Sequence, residues 1–255
     1  MRRLIAAIAI VFLSTSAFAH EVQLITQYLK LNRQNDDALQ TDVLAKATLS
    51  ANYEFGLQGT YLERFDLYEK RAGAFLIMHP SPSLTLEARY LRGDGDVQIL
   101  PKDHYSLSMY HALTQGISPF IAYQNALYSI THLQSLRVGV EIEKIENIIL
   151  IPQVMIGQAQ FNDPSEVQEV NSIGLKVIYY REAEYSFLTY AYKGLEASQA
   201  IIGSSSTTVE TRTVGAGASY YFIPDLKTEV IFEYMDLGKL DNQFLTSTLN
   251  LAWAF

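Results

Sequence analysis

The amino-acid sequence predicts an all-β fold, a closed antiparallel up-and-down β-barrel of about 14 strands, with 12 strands as the alternative. The first observation is that apolar and polar side chains alternate with a period of two through most of the chain, as they do in strands. The second is that the breaks between these segments alternate between longer polar stretches and tight turns. The third is the length, since residues 20–255 divided among 14 strands leave about 17 residues for each strand and its connection.

The alternation is clearest in residues 43–55, where Val43 and Phe55 share one face while Lys46 and Glu54 occupy the other. The same pattern recurs over residues 25–31, 83–91, 135–144, 172–180, 213–222, 228–235 and 244–255. Each segment therefore has an apolar face and a polar or small-residue face. This favours strands that separate two different environments.

The breaks between the predicted strands have an order of their own. They fall at residues 32–40, 54–56, 66–70, 79–83, 93–102, 114–118, 128–133, 144–147, 161–169, 181–184, 196–210, 223–226 and 236–243. The first of each successive pair tends to be longer and more polar, and the second is a tight turn. Outer-membrane barrels sort their connections in this way. The breaks at 66–70 and 128–133 are the least distinct, and without them the strand count falls to 12.

The first 19 residues have the composition of an export signal. A basic start is followed by an apolar run at residues 4–13 and by Ala17 and Ala19, which form the small-x-small pattern that signal peptidase recognises. The apolar run is too short to cross a membrane as a helix, which needs about 20 residues. We expect residues 1–19 to be the signal peptide and residues 20–255 to form one barrel domain.

Composition excludes several other classes of protein. The chain has no cysteine, so we expect neither a disulfide framework nor a lipid anchor on a cysteine after the signal. Its formal net charge of −8 makes nucleic acid a poor partner. The histidines are scattered without the spacing of metal ligands, and the sequence therefore predicts no metal and no cofactor.

Alternation alone does not distinguish a membrane barrel from a soluble one such as a lipocalin, which turns its apolar face inward. The export signal, the order of the breaks and the charges opposite the aliphatic face together predict a transmembrane β-barrel in the outer membrane of a Gram-negative bacterium. Tyrosines near strand ends fit the aromatic girdles of such barrels: Tyr28, Tyr53, Tyr90, Tyr128, Tyr179, Tyr220 and Tyr234.

The last predicted strand carries an apolar side chain at every second position, Leu249, Leu251, Trp253 and Phe255. This ending resembles the C-terminal β-signal that delivers outer-membrane proteins to their assembly machinery, although Ser247 departs from its pattern. The hairpin series from about His79 onward, including residues 81–95 and 135–157, resembles the YaiO-like outer-membrane β-barrel family. That resemblance implies a barrel fold and supplies no catalytic residues.

One segment could carry chemistry. His104, Ser106 and Ser108 alternate onto one face, and Asp103 is adjacent, so a nucleophile and base are conceivable if a third group oriented the imidazole. No acid can be named on that face, and the sequence therefore predicts no enzymatic activity. Gly215 and Gly217 lie inside a strand pattern, where small residues either make room for a large neighbouring side chain in the lumen or mark a bend.

The polar faces of the predicted strands carry a set of charges that we expect in the lumen: Lys46, Glu87, Arg89, Arg137, Glu141, Glu143, Lys176, Glu229 and Glu233. One interpretation is a polar channel whose acidic excess favours cations. The other is a set of internal ion pairs that close a narrow barrel. A barrel of 14 strands falls between the filled 8-stranded type and the open porins, so geometry leaves both open. Short loops and bulky polar side chains favour a narrow or partly occluded pore.

The sequence thus predicts a non-enzymatic outer-membrane barrel, a narrow channel or accessory conduit for polar solutes or polysaccharide. The polysaccharide part is an implication of the YaiO-like resemblance. The alternatives are a structural envelope barrel without transport and, less favoured, a lipid-modifying envelope enzyme. The expected partners are outer-membrane lipid and, during biogenesis, periplasmic chaperones and the outer-membrane assembly machinery. We expect a monomer.

Overall fold

The strands form one closed antiparallel sheet. The computed structural model describes residues 20–31, 37–64, 67–93, 100–129, 131–161, 167–181, 184–197, 208–223, 225–238 and 243–255. Each strand pairs with its neighbours in the chain, and the first strand pairs with the last, so the described sheet has no edge. The predicted fold class is therefore confirmed. The predicted signal peptide lies outside the described residues.

The strands follow one another without intervening helices in the described parts of the chain. Their bounds are β1 Glu21–Leu31, β2 Asp37–Ser50, β3 Tyr53–Arg64, β4 Leu67–Ser81, β5 Leu84–Gly93, β6 Asp103–His111, β7 Ile117–Leu127, β8 Thr131–Ile145, β9 Ile148–Phe161, β10 Val167–Arg181, β11 Tyr185–Ala197, β12 Thr208–Ile223, β13 Leu226–Asp236 and β14 Gln243–Ala254. Among the described residues, no helix is long and apolar enough to cross a membrane.

The connections at the two ends of the barrel differ in length, as the sequence predicts. At the end where His20 and Phe255 lie, which we call the turn end, β8 stops at Ile145 and β9 starts at Ile148. At the opposite loop end, β11 stops at Ala197 and β12 starts only at Thr208. Both indistinct breaks are real connections at the loop end. The count is therefore 14 strands rather than 12.

One predicted break is misplaced. The sequence suggests a turn at residues 54–56, but the chain reverses at Ala51 and Asn52, and β3 begins at Tyr53. The sequence alternation continues from the end of β2 into the start of β3, because the two-residue turn keeps apolar side chains at every second position. The turn is therefore not visible in the sequence pattern. Asp37 to Gln40 likewise belong to β2 and not to a connection.

Strand register separates an inward face from an outward face. Lys46, Gly56, Phe75, Arg89 and Ser106 are successive partners across β2 to β6, so they share one face of the sheet. Continuing around the barrel, this face contains the residues that line the internal cavities and is therefore the lumen face. The opposite face exposes large apolar side chains, among them Leu49, Leu57, Leu107, Val138, Val154, Ile156, Ile173, Leu175, Val214, Phe232, Leu245 and Leu249.

Aromatic side chains concentrate near both ends of this outward face. Tyr53, Phe55, Tyr179, Tyr220 and Trp253 are exposed at the turn end, and Tyr28, Tyr68, Tyr105, Tyr123 and Tyr234 are exposed toward the loop end. Amphipathic rings suit the two interfaces of a bilayer. Tyr128 is an exception to the predicted girdle, because its side chain lines a lumen cavity. Tyr128 continues the lumen-facing alternation of Gln124 and Ala126 on β7, so its side chain points inward.

Glycines on the lumen face make room for aromatic side chains. A methyl group at Gly215 would meet the Tyr190 ring at 2.2 Å, and one at Gly56 would meet the Phe75 ring at 2.1 Å. The same relation joins Gly174 to Tyr192 and Gly139 to Phe120. The expectation that Gly215 accommodates a large neighbour is therefore confirmed. These rings narrow the lumen at the positions where the wall carries no side chain.

Candidate functional site in the barrel lumen

Register places all nine predicted charges on the lumen face, together with others that the sequence did not single out. The acidic residues on this face are Glu21, Asp42, Glu54, Glu69, Glu87, Glu141, Glu143, Glu229 and Glu233, and the basic ones are Lys46, Arg64, Arg71, Arg89, Arg137, Lys176 and Lys227. The set therefore has an acidic excess.

Asp42 was missed by the sequence reasoning and is the most thoroughly bonded of these charges. Its side chain is 6% exposed. It accepts hydrogen bonds from Gln40 Nε2 at 2.7 Å, Gln58 Nε2 at 3.3 Å and Thr60 Oγ1 at 2.5 Å. A buried carboxylate is tolerated only with such partners. Asp42 thus ties β2 to β3 from inside the barrel.

Arg89 extends this network to β5. Its NH1 donates to Gln58 Oε1 at 2.8 Å, which reaches across β4. Its Nε and NH2 donate to Glu87 Oε1 at 3.1 and 2.7 Å, and its guanidinium lies 4.9 Å from the centroid of the Phe75 ring. Both predicted charges, Glu87 and Arg89, are therefore held in place on one wall, where they narrow the lumen.

The lumen contains a cavity of about 370 Å³ toward the loop end, which we call the outer cavity. Its polar lining is Gln27, Gln40, Arg64, Arg71, His104, Gln124, Tyr128, Glu233 and Thr246, and its apolar lining is Leu29, Ala38, Leu62, Leu100, Pro101, Ala126, Leu133, Met235 and Phe244. Leu100 and Pro101 come from the β5–β6 connection. The Leu100 backbone N–H donates to Glu69 Oε2 at 2.6 Å, which holds that segment against the wall. This short segment therefore contributes to the lining of the lumen.

A second cavity of about 220 Å³, the middle cavity, lies against β8 to β13. The side chains that line it from the lumen face are Arg137, Gln153, Met155, Ser172, Tyr192, Thr213, Glu233 and Met235. Glu233 and Met235 also line the outer cavity, so the two spaces adjoin there. Glu233 accepts a hydrogen bond from Tyr190 Oη at 2.6 Å. The junction therefore has an acid fixed in its wall.

The turn end of the lumen is acidic and partly paired. A cavity of about 420 Å³ there is bordered by Glu141 and Glu143, and Tyr180 donates a hydrogen bond to Glu143. On β2, Lys46 Nζ lies 3.0 Å from carboxylate oxygens of both Glu21 and Glu54. Further round, Asn250 donates to Glu229 at 3.2 Å. Ion pairing and an open acidic surface thus coexist at this end.

The arrangement required for a nucleophile is not assembled. His104 and Ser106 face the lumen, but Asp103 lies on the outward face and accepts a hydrogen bond from Tyr90 Oη at 2.8 Å. Asp103 therefore cannot orient the His104 imidazole. Among the described residues, no group of three or more metal-ligating side chains comes together.

A closed sheet with an apolar exterior, aromatic residues near both ends and a polar interior defines the class of membrane-spanning β-barrels. In lipid, every backbone polar group must be paired within the protein, and closure of β1 onto β14 achieves this for the sheet. The chain thus has the fold and the surface of an outer-membrane β-barrel.

Solved structures share this fold at low sequence identity. No described family matches the sequence, and no curated protein does. CymD, a monoaromatic hydrocarbon channel, is 11% identical with a TM-score of 0.67, covering 93% of this chain and 89% of that one. A bacterial polysaccharide outer-membrane secretin is 9% identical with a TM-score of 0.59, covering 92% and 98%. Omp33 of Acinetobacter baumannii is 13% identical with a TM-score of 0.56, covering 93% and 99%. These likenesses show the fold alone, and the resemblance to the YaiO-like family stays a prediction.

Proposed function

We propose that this protein is a monomeric, non-enzymatic, narrow channel for small polar solutes in the outer membrane. The observation that carries the proposal is the junction of the outer and middle cavities at Glu233 and Met235. Solute passing between the two cavities would pass this acid. The monoaromatic hydrocarbon channel among the solved barrels of the same fold supports a channel role.

Two tyrosines project into the proposed path. Tyr190 donates its hydrogen bond to Glu233, while Tyr192 lies over Gly174 and lines the middle cavity beside Arg137. Selectivity in pores follows from diameter and from the charges that line the wall. The acidic excess of the lumen face and the acids at the turn end favour cations.

Replacing Tyr192 by alanine is expected to raise the single-channel conductance roughly two-fold, because the ring that narrows the middle cavity is removed. The measurement is current through the purified barrel in a planar lipid bilayer. Tyr179→Ala is the matched control, since Tyr179 lies on the next strand but is exposed on the outward face. Its conductance should equal that of the wild type. A salt gradient across the same bilayer measures the expected cation preference.

The alternative is a structural envelope barrel without transport. Absence of conductance steps from folded wild-type protein would favour it over a channel. Recovery of the protein as soluble periplasmic material, without the heat-dependent gel shift of a folded barrel, would contradict both. A polysaccharide conduit needs a continuous, wider lumen, and the Glu87–Arg89 and Tyr190–Glu233 contacts favour small solutes instead.

The outward face of β14 supports a second proposal, that Leu249, Leu251, Trp253 and Phe255 act as the assembly signal. Phe255 is 56% exposed, and its ring stacks on Trp253 with centroids 5.5 Å apart. An exposed stacked pair contributes only about 1 kcal/mol to the folded state. The ring is therefore available for recognition before the barrel closes.

Phe255→Ala is expected to lower the amount of protein in the outer membrane several-fold, while protein refolded in detergent keeps its unfolding midpoint. Membrane fractions and detergent unfolding measure the two quantities separately. Phe187→Ala is the control, because Phe187 is an outward aromatic of similar exposure on β11. Equal membrane levels for the two variants would contradict the assembly role.

A further inference from the structure

The outer cavity has a layered lining that follows from strand alternation. In five strands a polar lumen residue is followed, two residues nearer the loop end, by an apolar one. The pairs are Gln27 and Leu29, Gln40 and Ala38, Gln124 and Ala126, Glu233 and Met235, and Thr246 and Phe244. Residues two apart in a strand share a face. On these five strands the cavity therefore has an apolar ring nearer the loop end and a polar ring below it, and Arg64 and His104 interrupt the apolar ring as the strand partners of Ala38 and Ala126.

The apolar ring is packed and continuous with two buried clusters. Phe244 is 2% exposed and packs with Val209 and Leu237, and Leu29 and Met235 pack against the same cluster. On the other side, Leu133 packs against a cluster of Ala159, Phe161 and Val170. Solvent-filled pores present polar walls, so apolar side chains at this level suit an apolar ligand body instead.

The outer cavity also presents buried nitrogen atoms that have no hydrogen-bond partner among the described residues. Arg71 Nε and His104 Nδ1 are buried and have no hydrogen-bond partner among the described residues, and both side chains line the outer cavity. A guanidinium nitrogen can only donate. The acid on β2, Asp42, already accepts three hydrogen bonds. A ligand in the cavity can therefore supply the acceptor for Arg71 Nε.

We propose that the outer cavity binds a small amphipathic anion, an apolar body of about the size of a benzene ring or short acyl chain carrying one carboxylate. The carboxylate accepts from Arg71 and His104, and the body lies in the apolar ring beneath Leu100 and Pro101. Glu233, the acid in the lining, is bonded to Tyr190 and lies at the junction with the middle cavity. The volume of about 370 Å³ admits one such molecule.

The test is equilibrium dialysis of radiolabelled benzoate against the full barrel in lipid nanodiscs, with empty nanodiscs as background. We expect saturable binding to the wild type. Arg71→Gln should weaken binding roughly ten-fold or more, because a charge-assisted hydrogen bond is lost. Arg137→Gln is the matched control, since Arg137 lines the middle cavity, and it should leave benzoate binding unchanged.

A second variant guards against misfolding of Arg71→Gln. Ala126→Phe keeps every charge but fills the apolar ring, and it should abolish benzoate binding while retaining the heat-dependent gel shift. Benzyl alcohol and benzylamine, which share the ring but not the carboxylate, should bind more weakly than benzoate. Equal or tighter binding of either probe, or no saturable benzoate binding to folded wild type, would overturn the proposal.

Conductance recorded on the same preparation separates this inference from the proposed channel function. Benzoate binding without conductance steps would reject the channel and leave the site intact. Conductance without benzoate binding would reject the site and leave the channel intact. If both hold, benzoate added on the loop side should lower the current, because the site lies in the path at Glu233.

Discussion

Replacing Gly215 by leucine is expected to destabilise the barrel by about 3 kcal/mol or more, or to prevent folding altogether. The Tyr190 ring occupies the space that the new side chain needs, since a methyl group alone would lie 2.2 Å from it. Displacing Tyr190 also breaks its hydrogen bond to Glu233. Urea unfolding in detergent, followed by the heat-dependent gel shift, measures the loss.

The control for this substitution is Gly59→Leu. A methyl group at Gly59 would meet no heavy atom within 4 Å, and Gly59 lies on the outward face of β3, so leucine there should be tolerated. Adding Tyr190→Ala to Gly215→Leu should recover much of the stability by vacating the occupied space. If Gly215→Leu and Gly59→Leu unfold alike, the packing of Tyr190 over Gly215 is not a determinant of stability.

Asp42→Ala should cost about 3 kcal/mol, because it leaves two buried donors and one half-buried donor without an acceptor and removes a negative charge that interacts with Arg71. The donors are on Gln40, Gln58 and Thr60, and Gln58 in turn positions Arg89. Asp42→Asn should cost less, since an amide oxygen still accepts. The measurement is the free energy of unfolding of the refolded barrel in detergent.

A matched substitution is available on the same strand. Asp37→Ala removes a carboxylate from the outward face, where Asp37 accepts a hydrogen bond from Tyr28 and is exposed, so we expect a change within about 0.5 kcal/mol. If Asp42→Ala is as mild as Asp37→Ala, water in the lumen satisfies the donors. The Asp42 network would then not hold β2 to β3.

The period of two was sufficient to predict most of the fold. It assigns Glu229 and Glu233 of β13 to one face of the sheet and Val230 and Phe232 to the other. Because residues that pair across two neighbouring strands lie on the same face, assigning one strand also assigns the faces of the strands beside it. Asp42 and Arg71 were missed as lumen charges because the adjoining segments, 37–40 and 67–70, had been assigned to connections. Extending the alternation back from Lys46 would have reached Asp42.

The contacts within the lumen could not be predicted in the same way. Arg89 reaches across β4 to Gln58, and Tyr190 reaches past the neighbouring strand β12 to Glu233 on β13. Alternation states which side a residue faces but not how far its side chain extends along the inner wall. The outer cavity is a further case, because its layered lining depends on the relative heights of five strands.

The pairing of lumen glycines with aromatic rings links the bore of the barrel to its resistance to unfolding. Phe75, Phe120, Tyr190 and Tyr192 fill space inside the lumen and at the same time cover bare backbone of the wall. Trimming these rings to pass larger cargo would therefore weaken the wall that contains the passage. In this barrel, substitutions of these rings that widen the lumen are therefore expected to lower the free energy of unfolding. A wider descendant would need compensating substitutions on its lipid-facing side.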